Sequence, residues 1–333
     1  MIDKKIAVVI LNWNGTKLLE QFLPSINLFS DEATIYVADN ASNDDSISFI
    51  KKNYPDIKFI QNNGNFGFAK GYNEALKYVE EPYYALVNSD IEVTKNWLEP
   101  ILNIFENQPN ISIIQPEIID FKDKTKFEYA GAAGGFIDKY GYPFCRGRIF
   151  DTIEIDSGQY NDDCTIFWAS GACFFIRKEI YKDLEGFDAS FFAHQEEIDL
   201  CWRAFNKDYV TYYCSKSVVY HVGGATLNES NPRKTFLNFR NSLFMLTKNL
   251  PKNQLFKIIF IRMILDGIAG IKFILQGKFS HCLAIIKAHF QFYINLNKYL
   301  SKRDLVQKKN YYKSKNIVYN YFIQKKSVFT SIN

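Results

Sequence analysis

Apolar runs alternate with helical segments through the first third of the chain, and this alternation constrains the fold more than any other sequence feature. Apolar strands are predicted at residues 6–11, 34–38, 57–60 and 83–87. Helical periodicity or a capping residue predicts helices at 17–28, 42–50, 67–79 and 95–106. Strands that alternate with helices in this way form a parallel sheet that is covered on both faces. We therefore expect an α/β fold with a doubly wound, mostly parallel sheet and helices on both faces.

Polar residues follow each of the four predicted strands. Residues 12–15, 39–40, 62–67 and 88–90 are rich in asparagine, aspartate and glycine. The carboxyl ends of parallel strands meet at one edge of the sheet, and α/β proteins bind their ligands at that edge. The sequence contains no G-x-G-x-x-G motif and no Walker lysine motif, so dinucleotide binding and P-loop chemistry have no support.

A second polar segment extends from Trp168 to His221. It contains small residues around Gly171 and the carboxylates Glu196 and Glu197 at the start of a predicted helix. Acidic side chains in a first helical turn are also favoured by the helix dipole. From the residues alone, a helix start and a functional site are both open interpretations of this cluster.

Length and cysteine content limit the class of protein. A chain of 333 residues is compatible with one large domain and an appendage, or with two domains. The six cysteines form no C-x-x-C pair, which is typical of reduced thiols in a cytoplasmic protein. We find no signal peptide and no uninterrupted run of about 18 apolar residues, so we expect no spanning helix. The Leu-Pro pair at 250–251 predicts a domain at 1–250 and a tail at 251–333.

The tail differs from the rest of the chain in charge. It contains 15 lysine and arginine residues and two acidic residues, a net charge of +13, whereas residues 1–250 have a net charge of −9. Helical apolar patterns occur at 255–275 and 283–300, and Lys287 and Lys298 share one face of the second pattern. Basic amphipathic helices bind anionic membrane surfaces; helices that pack on the main domain or form a dimer contact are the alternative. The acidic body argues against a nucleic-acid partner.

Five motifs in this order, followed by His221, resemble family 2 glycosyltransferases of the rhamnosyltransferase-like branch, which have the GT-A fold. The motifs lie at residues 9–15, 37–42, 65–73, 86–90 and 168–203. The resemblance covers roughly residues 5–250 and is specific for the family but not for a sugar. It implies a nucleotide-binding half at about 1–115 and an acceptor half at about 116–250.

The resemblance implies a set of residues that bind the nucleotide-sugar. Trp13 would stack on the nucleobase, Asp39 would accept hydrogen bonds from the base or ribose, and the helix that opens at Gly67 would meet the diphosphate. The implied set is Asn12, Trp13, Asn14, Asp39, Asn65, Gly67, Lys70, Ser89 and Asp90. The alternatives are a half-buried tryptophan at 13, a turn-forming acid at 39 and a solvated lysine at 70.

Asp90 and His221 are the metal ligands that the resemblance implies. Asn88-Ser89-Asp90 matches the family's Asp-x-Asp motif with asparagine in place of the first acid, which weakens the case for a second carboxylate ligand. Oxygen and imidazole ligands suit Mn²⁺ or Mg²⁺ as the cofactor. A structural role for His221 is the alternative.

Glu197 matches the family's catalytic base, although the family usually has aspartate there. A carboxylate at this position would take the proton of the acceptor hydroxyl. The resemblance also implies acceptor binding by Gly171, Glu196, Asp199 and Arg203. The processive Q-x-x-R-W motif is absent, which favours single additions.

Together these motifs imply an inverting, metal-dependent, non-processive glycosyltransferase. It would move a hexosyl or deoxyhexosyl group from a UDP- or dTDP-sugar to a glycan or lipid-linked acceptor, in cell-surface polysaccharide synthesis. We expect it in the cytoplasm, with the inner face of the cell membrane as a peripheral location. Two alternatives are a catalytically impaired scaffold of the same fold, because of Asn88 and Glu197, and a sugar nucleotidyltransferase, which residues 14–17 match poorly.

Overall fold

A nine-stranded mixed sheet lies at the centre of the protein in this computed structural model, which describes residues 4–223 and 231–332. The strands are β1 (Ile6–Asn12), β2 (Ala33–Asp39), β3 (Lys58–Gln61), β4 (Tyr83–Asn88), β5 (Ile91–Val93), β6 (Ile111–Asp120), β7 (Gly135–Ile137), β8 (Pro143–Cys145), β9 (Arg148–Ile149), β10 (Thr152–Ile153), β11 (Cys164–Ile166), β12 (Cys173–Arg177) and β13 (Val210–His221). The helices are α1 (Thr16–Leu28), α2 (Ser46–Asn53), α3 (Gly67–Ala75), α4 (Glu99–Asn107), α5 (Lys178–Asp183), α6 (Glu196–Asn206), α7 (Pro232–Asn249), α8 (Leu255–Leu275), α9 (Phe279–Ser301) and α10 (Ile317–Phe322).

The order of strands in the main sheet is β11-β13-β6-β12-β4-β1-β2-β3, and β5 pairs with β13. Four pairings are parallel, β4–β1, β1–β2, β2–β3 and β6–β13, whereas β12 runs antiparallel to both β4 and β6. The predicted α/β class is confirmed, and the sheet is more mixed than the expected doubly wound form. The reason is that residues 121–172 contain no crossover helix, so β12 begins at the edge where β6 ends.

The first four predicted strands are present, and their ends are in register. Residues 6–10 of β1 are fully buried, as expected for a strand covered on both faces. Asn12 pairs with Asp39, and Leu11 pairs with Asn88, so the exits of β1, β2 and β4 lie side by side. Two predicted helices begin about four residues later than expected, at Ser46 and Glu99. The first does so because residues 39–45 form a turn that Asp39 closes by accepting the Ser42 amide.

Both predicted tail helices are present, and the tail packs on the body of the protein. No helix in the two described ranges is long and apolar enough to cross a membrane. After α9 the chain crosses the small sheet formed by β7–β10, where Ser314 pairs with Asp138 and Ile317 is buried beside Phe144. The predicted halves of the 1–250 region share one continuous sheet, because β6 spans the proposed boundary.

Helix α7 holds α6 through a buried ionic network. Asp199 of α6 is fully buried, and its Oδ2 accepts hydrogen bonds from Lys248 at 2.7 Å and Arg203 at 2.9 Å. Its Oδ1 accepts from Asn249 at 2.9 Å. Lys248 also contacts Asp188, at 2.9 Å, so one lysine of α7 links α6 to the segment that precedes it.

We predict that Asp199→Ala destabilises the fold by about 3–5 kcal/mol, because it leaves the buried Lys248 ammonium without one of its two carboxylate partners. Chemical denaturation measures this loss as a fall in the free energy of unfolding. Asp183→Ala is the matched control, since Asp183 pairs with Lys207 at the surface; it should cost about 1 kcal/mol or less. Equal losses in the two variants would contradict a structural role for Asp199.

Candidate active site

The loops after β1 and β4 meet at the carboxyl edge of the sheet. Asn12 is fully buried, and its amide donates to Asp39 at 2.9 Å and to Ser42 at 3.2 Å. A Cβ on Gly15 would lie 2.4 Å from Asn12 Oδ1, so only glycine fits there. The same Cβ position is 3.9 Å from Ser89 Oγ, which places the two loops next to each other.

Asp39 and Asn14 organise the turn after β2. Asp39 is fully buried and accepts four hydrogen bonds, from the Asn12 and Gln61 amides and from the backbone and hydroxyl of Ser42. These four donors use the acceptor capacity of a carboxylate, so a nucleotide that bonds Asp39 has to displace one of them. Asn14 accepts from the Asn43 amide at 2.9 Å. The turn-forming role that we considered for Asp39 is therefore the one it has in this structure.

Trp13 differs from the buried Asn12 before it because half of its surface, 50%, is exposed. Its position after β1 leaves a flat aromatic surface beside the buried Asn12. Such a surface can stack on any planar ring, at about 1–3 kcal/mol for a nucleobase.

The helix start at Gly67 is closed by the protein itself. The Gly67 amide donates to Asn65 Oδ1 at 3.0 Å, and the amides of Phe68 and Ala69 both point at the Phe192 carbonyl oxygen, at 2.8 and 3.4 Å. The Lys70 ammonium lies over the Phe66 ring, 4.0 Å from its centre. Because these N–H groups are already bonded, we do not retain Asn65, Gly67 and Lys70 as the diphosphate site that the sequence suggested.

Asp90 and His221 meet because β5 and β13 pair with each other. The register sets His221 opposite Ile91, and His221 Nε2 lies 3.2 Å from Asp90 Oδ1. On the other side of the ring, Nδ1 lies 3.1 Å from Glu128 Oε1. All three side chains are buried.

Two carboxylates around one imidazole create a position that favours positive charge. Burial lowers the pKa of His221, but Glu128 and Asp90 outweigh it and raise the pKa to about 10. Within residues 4–223 and 231–332, no three histidine, cysteine or acidic side chains are arranged to hold a metal ion by themselves. Asp90 and His221 fit a metal ion that takes its remaining ligands from water and a bound phosphate, as Mg²⁺ commonly does.

The loop before α6 has a strained backbone that α7 holds in place. Phe192, His194 and Gln195 all have positive φ values, between 67° and 71°. The fully buried Asn241 of α7 donates to the carbonyl oxygens of residues 191, 193 and 194, at 2.8–3.0 Å. Backbone strain of this kind persists only where surrounding contacts enforce it, and it is concentrated at functional sites.

Four consecutive side chains at the start of α6 have buried polar atoms without hydrogen-bond partners in the protein. They are His194 Nε2, Gln195 Oε1, Glu196 Oε2 and Glu197 Oε2. Such atoms are rare in folded proteins and call for an explanation each time they occur. Here they indicate that this loop is built to meet a polar ligand.

Burial changes the protonation of these groups. Burial raises the pKa of Glu197 to about 7, and burial together with the neighbouring Glu197 raises the pKa of Glu196 well above its ordinary value. Burial and the charge of Lys234 lower the pKa of His194 to about 4, so its ring is neutral near pH 7. The cluster therefore combines two readily protonated carboxyls with a neutral imidazole.

Gly171 opens the space in front of Glu197. A Cβ on Gly171 would lie 3.7 Å from the Glu197 carboxyl carbon and 3.5 Å from the Phe68 ring, so a longer side chain would fill this space. The adjacent Ala172 carbonyl accepts the Asn88 amide at 2.9 Å, directly before Ser89 and Asp90. Residues 171–172 therefore lie between the Glu197 carboxyl and the loop that carries Asp90.

Two predicted acceptor residues lie away from this space. Asp199 is enclosed in the network with Lys248, and Arg203 donates to Asp199 and to the carbonyl oxygens of Leu184 and Gly186. Because both side chains are bonded within the fold, we no longer assign Asp199 and Arg203 to the acceptor. For Gly171 and Glu196, which lie beside Glu197, acceptor binding stays a prediction.

Sequence reasoning missed three residues of this site, Glu128, His194 and Asn241. Glu128 and Asn241 lie 93 and 20 residues from His221 in the chain, and no local pattern marks either one. His194 was visible, because it lies two residues before Glu196, but its missing partner is evident only in three dimensions.

The polar loops lie at the carboxyl edge of the mixed α/β sheet, and the carboxylate cluster at the start of α6 has buried oxygens without partners. Residues 7–185 match the family model "Glycosyl transferase family 2". This match spans more than half of the chain, and the protein belongs to that family. The scaffold and nucleotidyltransferase alternatives are therefore not adopted.

Two relatives of this chain are named as glycosyltransferases. A low-salt glycan biosynthesis hexosyltransferase, Agl10 of Haloferax volcanii, is 23% identical over 249 residues, which are 72% of this chain and 75% of the relative. An N-acetylglucosaminyl-diphospho-decaprenol L-rhamnosyltransferase of Mycobacterium tuberculosis is 22% identical over 233 residues, 65% of this chain and 75% of the relative.

Solved structures support the fold. S. aureus TarS 1-349 in complex with UDP-GlcNAc has a TM-score of 0.57 at 15% identity. The match covers 90% of this chain and 84% of the TarS chain. GalNAc-T7 with UDP, GalNAc and Mn²⁺ has a TM-score of 0.59 at 14% identity; 74% of this chain spans about half, 48%, of that one.

We predict that Glu196→Gln stabilises the protein at about pH 8 by on the order of 1–3 kcal/mol. A carboxyl with a raised pKa opposes folding once the pH exceeds its unfolded value, and glutamine removes that charge while keeping the shape. The gain should disappear near pH 4, where the carboxyl is protonated in both states. Thermal melts at the two pH values measure it.

Glu20→Gln is the control, because Glu20 is exposed in the middle of α1. Its effect should stay within about 0.5 kcal/mol at both pH values. A Glu196→Gln protein that is less stable than the parent at high pH would show that Glu196 forms a favourable buried interaction.

Proposed function

We propose that the protein is an inverting, metal-dependent and non-processive glycosyltransferase. It moves one sugar from a nucleotide-diphosphate sugar to a glycan or lipid-linked acceptor in cell-surface polysaccharide synthesis. The observation that carries this proposal is the buried Glu197 carboxyl, which has an oxygen without a partner and lies beside Gly171, next to the Ala172 carbonyl that accepts the Asn88 amide before Asp90.

The donor binds at the carboxyl edge of the sheet. Trp13 stacks on the nucleobase, while Asn12 and Asn14 keep the adjacent turn in shape. Asp90 and His221 hold a divalent metal, Mn²⁺ or Mg²⁺, which when bound neutralises the diphosphate charge of the leaving group. Two structural neighbours were solved with Mn²⁺: GalNAc-T7 together with UDP, and a Pyrobaculum calidifontis mannosyltransferase, with a TM-score of 0.51, together with GDP-Man.

Glu128 is the residue that orients His221. A histidine ligand usually donates its second ring N–H to a carboxylate, which fixes the ring and its tautomer. Glu128 lies 3.1 Å from His221 Nδ1 and is itself held by the Ala130 amide. This leaves Nε2, on the side of Asp90, as the nitrogen that meets the metal.

Glu197 is the general base. The acceptor hydroxyl oxygen forms a bond to the anomeric carbon while the bond from that carbon to the diphosphate oxygen breaks, and the hydroxyl proton passes to the Glu197 carboxylate. Attack from the face opposite the leaving group inverts the anomeric centre. The neutral His194 and the Glu196 carboxyl are placed to hydrogen-bond the acceptor beside the reacting hydroxyl.

The acceptor is proposed to be a glycan or a lipid-linked glycan at the inner face of the cell membrane. The names of two relatives support this class, one through glycan biosynthesis and one through a diphospho-decaprenol acceptor. A rhamnosyl or other hexosyl group is the sugar class that these names favour, with UDP or dTDP as the nucleotide.

We predict that one nucleotide-sugar raises the melting temperature only when Mn²⁺ or Mg²⁺ is present, because a ligand that binds the folded state stabilises it by mass action. A screen of UDP-, dTDP- and GDP-sugars measures this. Asp90→Ala should abolish the metal-dependent shift. Glu128→Gln should weaken Mn²⁺ binding by about 10–100-fold, as read by electron paramagnetic resonance of free Mn²⁺.

The control for these variants is Glu92→Gln, because Glu92 lies on the same strand as Ile91 but pairs with Lys124 at the surface. It should keep the shift of the parent protein. An Asp90→Ala protein with unchanged metal response would remove Asp90 from the site.

We predict that Glu197→Gln lowers kcat by about 10²–10⁴-fold and leaves donor affinity unchanged, because the base is lost while the donor site stays intact. In the parent enzyme the rate should fall as the pH drops through about 7, where the base becomes protonated. That acid limb should be missing from the residual activity of Glu197→Gln. Steady-state kinetics with the identified donor measure both effects.

Glu196→Gln is the paired variant and should cost less activity than Glu197→Gln. Full turnover by Glu197→Gln together with a large loss in Glu196→Gln would move the base to the neighbouring residue.

A further inference from the structure

The antiparallel helices α8 and α9 expose a continuous apolar surface. Thirteen large apolar side chains on these helices are exposed: Phe256, Phe260, Ile264, Ile268, Ile271, Ile274, Leu275, Phe279, Leu283, Ile286, Phe290, Tyr293 and Ile294. We call this set the outer face. Phe260 and Tyr293 line the same surface groove, and the Tyr293 hydroxyl bonds Met263 at 3.0 Å, so the stripes of the two helices form one surface. Exposed apolar surface on this scale marks an interaction site.

The inner side of the same helices is polar and engaged with the body of the protein. Arg262 donates to the Tyr140 carbonyl and to Ser242, each at 2.8 Å. Asp266 is fully buried and lies 3.1 Å from His289 of α9. These contacts fix which side of the helix pair faces outward, so the apolar surface cannot rotate inward without breaking the hydrogen bonds of the buried Arg262.

Lysines occur along the outer face without exposed acidic residues among them. Lys257, Lys272, Lys278, Lys287 and Lys298 are all exposed. The one acidic residue between positions 255 and 301 is the buried Asp266. A surface that combines exposed aromatic and aliphatic side chains with cationic ones matches an anionic lipid bilayer, in which acyl chains lie beneath charged headgroups.

We propose that α8 and α9 lie on an anionic lipid surface through this outer face. The lysines contact the headgroups, and the phenylalanine and isoleucine side chains enter the boundary with the acyl chains. Because every lysine is long and flexible, its charge can remain at headgroup level while its neighbours insert.

The geometry connects this surface to the active site. His281, near the start of α9, bonds Thr235 at the start of α7, at 2.7 Å between Nδ1 and Oγ1. In the same first turn of α7, the Arg233 guanidinium lies 5.1 Å from the centre of the Phe192 ring, in the strained loop before Glu197. A bilayer under the outer face would therefore lie near the acceptor end of the site, where a lipid-linked acceptor is presented.

Flotation of the full-length protein with vesicles tests the proposal. The probes are vesicles of phosphatidylcholine alone and of phosphatidylcholine mixed with phosphatidylglycerol. The protein should float with the anionic vesicles and be partly released by salt, which screens the lysine charges. Replacing Lys257, Lys272, Lys287 and Lys298 by glutamine should weaken this binding by at least about tenfold, since each lysine near an anionic surface adds to the attraction.

Matched triple variants test the apolar part. Phe260→Glu, Ile271→Glu and Phe290→Glu together should abolish flotation, whereas Leu28→Glu, Tyr78→Glu and Ile155→Glu together should not. The two sets have similar exposure, but only the first lies on the outer face. Thermal melts of both proteins establish that each is folded, and the measurement needs neither donor nor acceptor, so it is independent of the proposed transfer reaction.

Two outcomes would overturn the proposal. One is equal flotation of the two triple variants. The other is a protein that ignores vesicles but forms a dimer in sedimentation measurements, with the dimer lost in the outer-face variant; this would assign the surface to a second copy of the chain.

Discussion

The site depends on the hydrogen bonds that α7 donates to the segment before α6. One buried amide, Asn241, bonds three carbonyl oxygens of a loop that contains three positive-φ residues. Farther along the same helix, Lys248 joins Asp188 to Asp199. Without these contacts the loop would relax, because side chains other than glycine disfavour that backbone conformation. The position of Glu197 is therefore set by α7, which begins after His221 in the chain.

In the same region, neighbouring carboxylates differ in how many hydrogen-bond partners they have. Asp199 has a lysine, an arginine and an asparagine around it, whereas Glu196 and Glu197 each keep an oxygen without a partner. Burial without a partner raises the pKa of Glu197 to about 7, which is the condition for a carboxylate that accepts a proton near neutral pH. A paired carboxylate such as Asp199 contributes to stability, and an unpaired one opposes it. The fold thus tolerates a local loss of stability where the chemistry is proposed.

The apolar strands, the polar residues at their exits and the start of α6 were all predictable from the sequence, because each rests on residues that are close together in the chain. The helix start at Gly67 shows the limit of such reasoning. Its sequence pattern indicated free amide groups for a diphosphate, but the Phe192 carbonyl, more than a hundred residues away, occupies them. The sequence did not reveal the antiparallel direction of β12 either, since this direction depends on the path that residues 121–172 take from β6 to β12.

The sequence by itself determined the alternation of strands and helices, the acidic cluster and the basic apolar tail, since hydrophobic period and charge are local properties. It also carried enough family motifs to predict a glycosyltransferase. Only the tertiary structure decided which two of three neighbouring carboxylates keep an oxygen without a partner, which nitrogen of His221 faces Asp90 and which side of α8 and α9 stays exposed. Protonation and exposure depend on burial and on partners from remote parts of the chain, such as Glu128 and Lys248, and these meet only when the whole protein has folded.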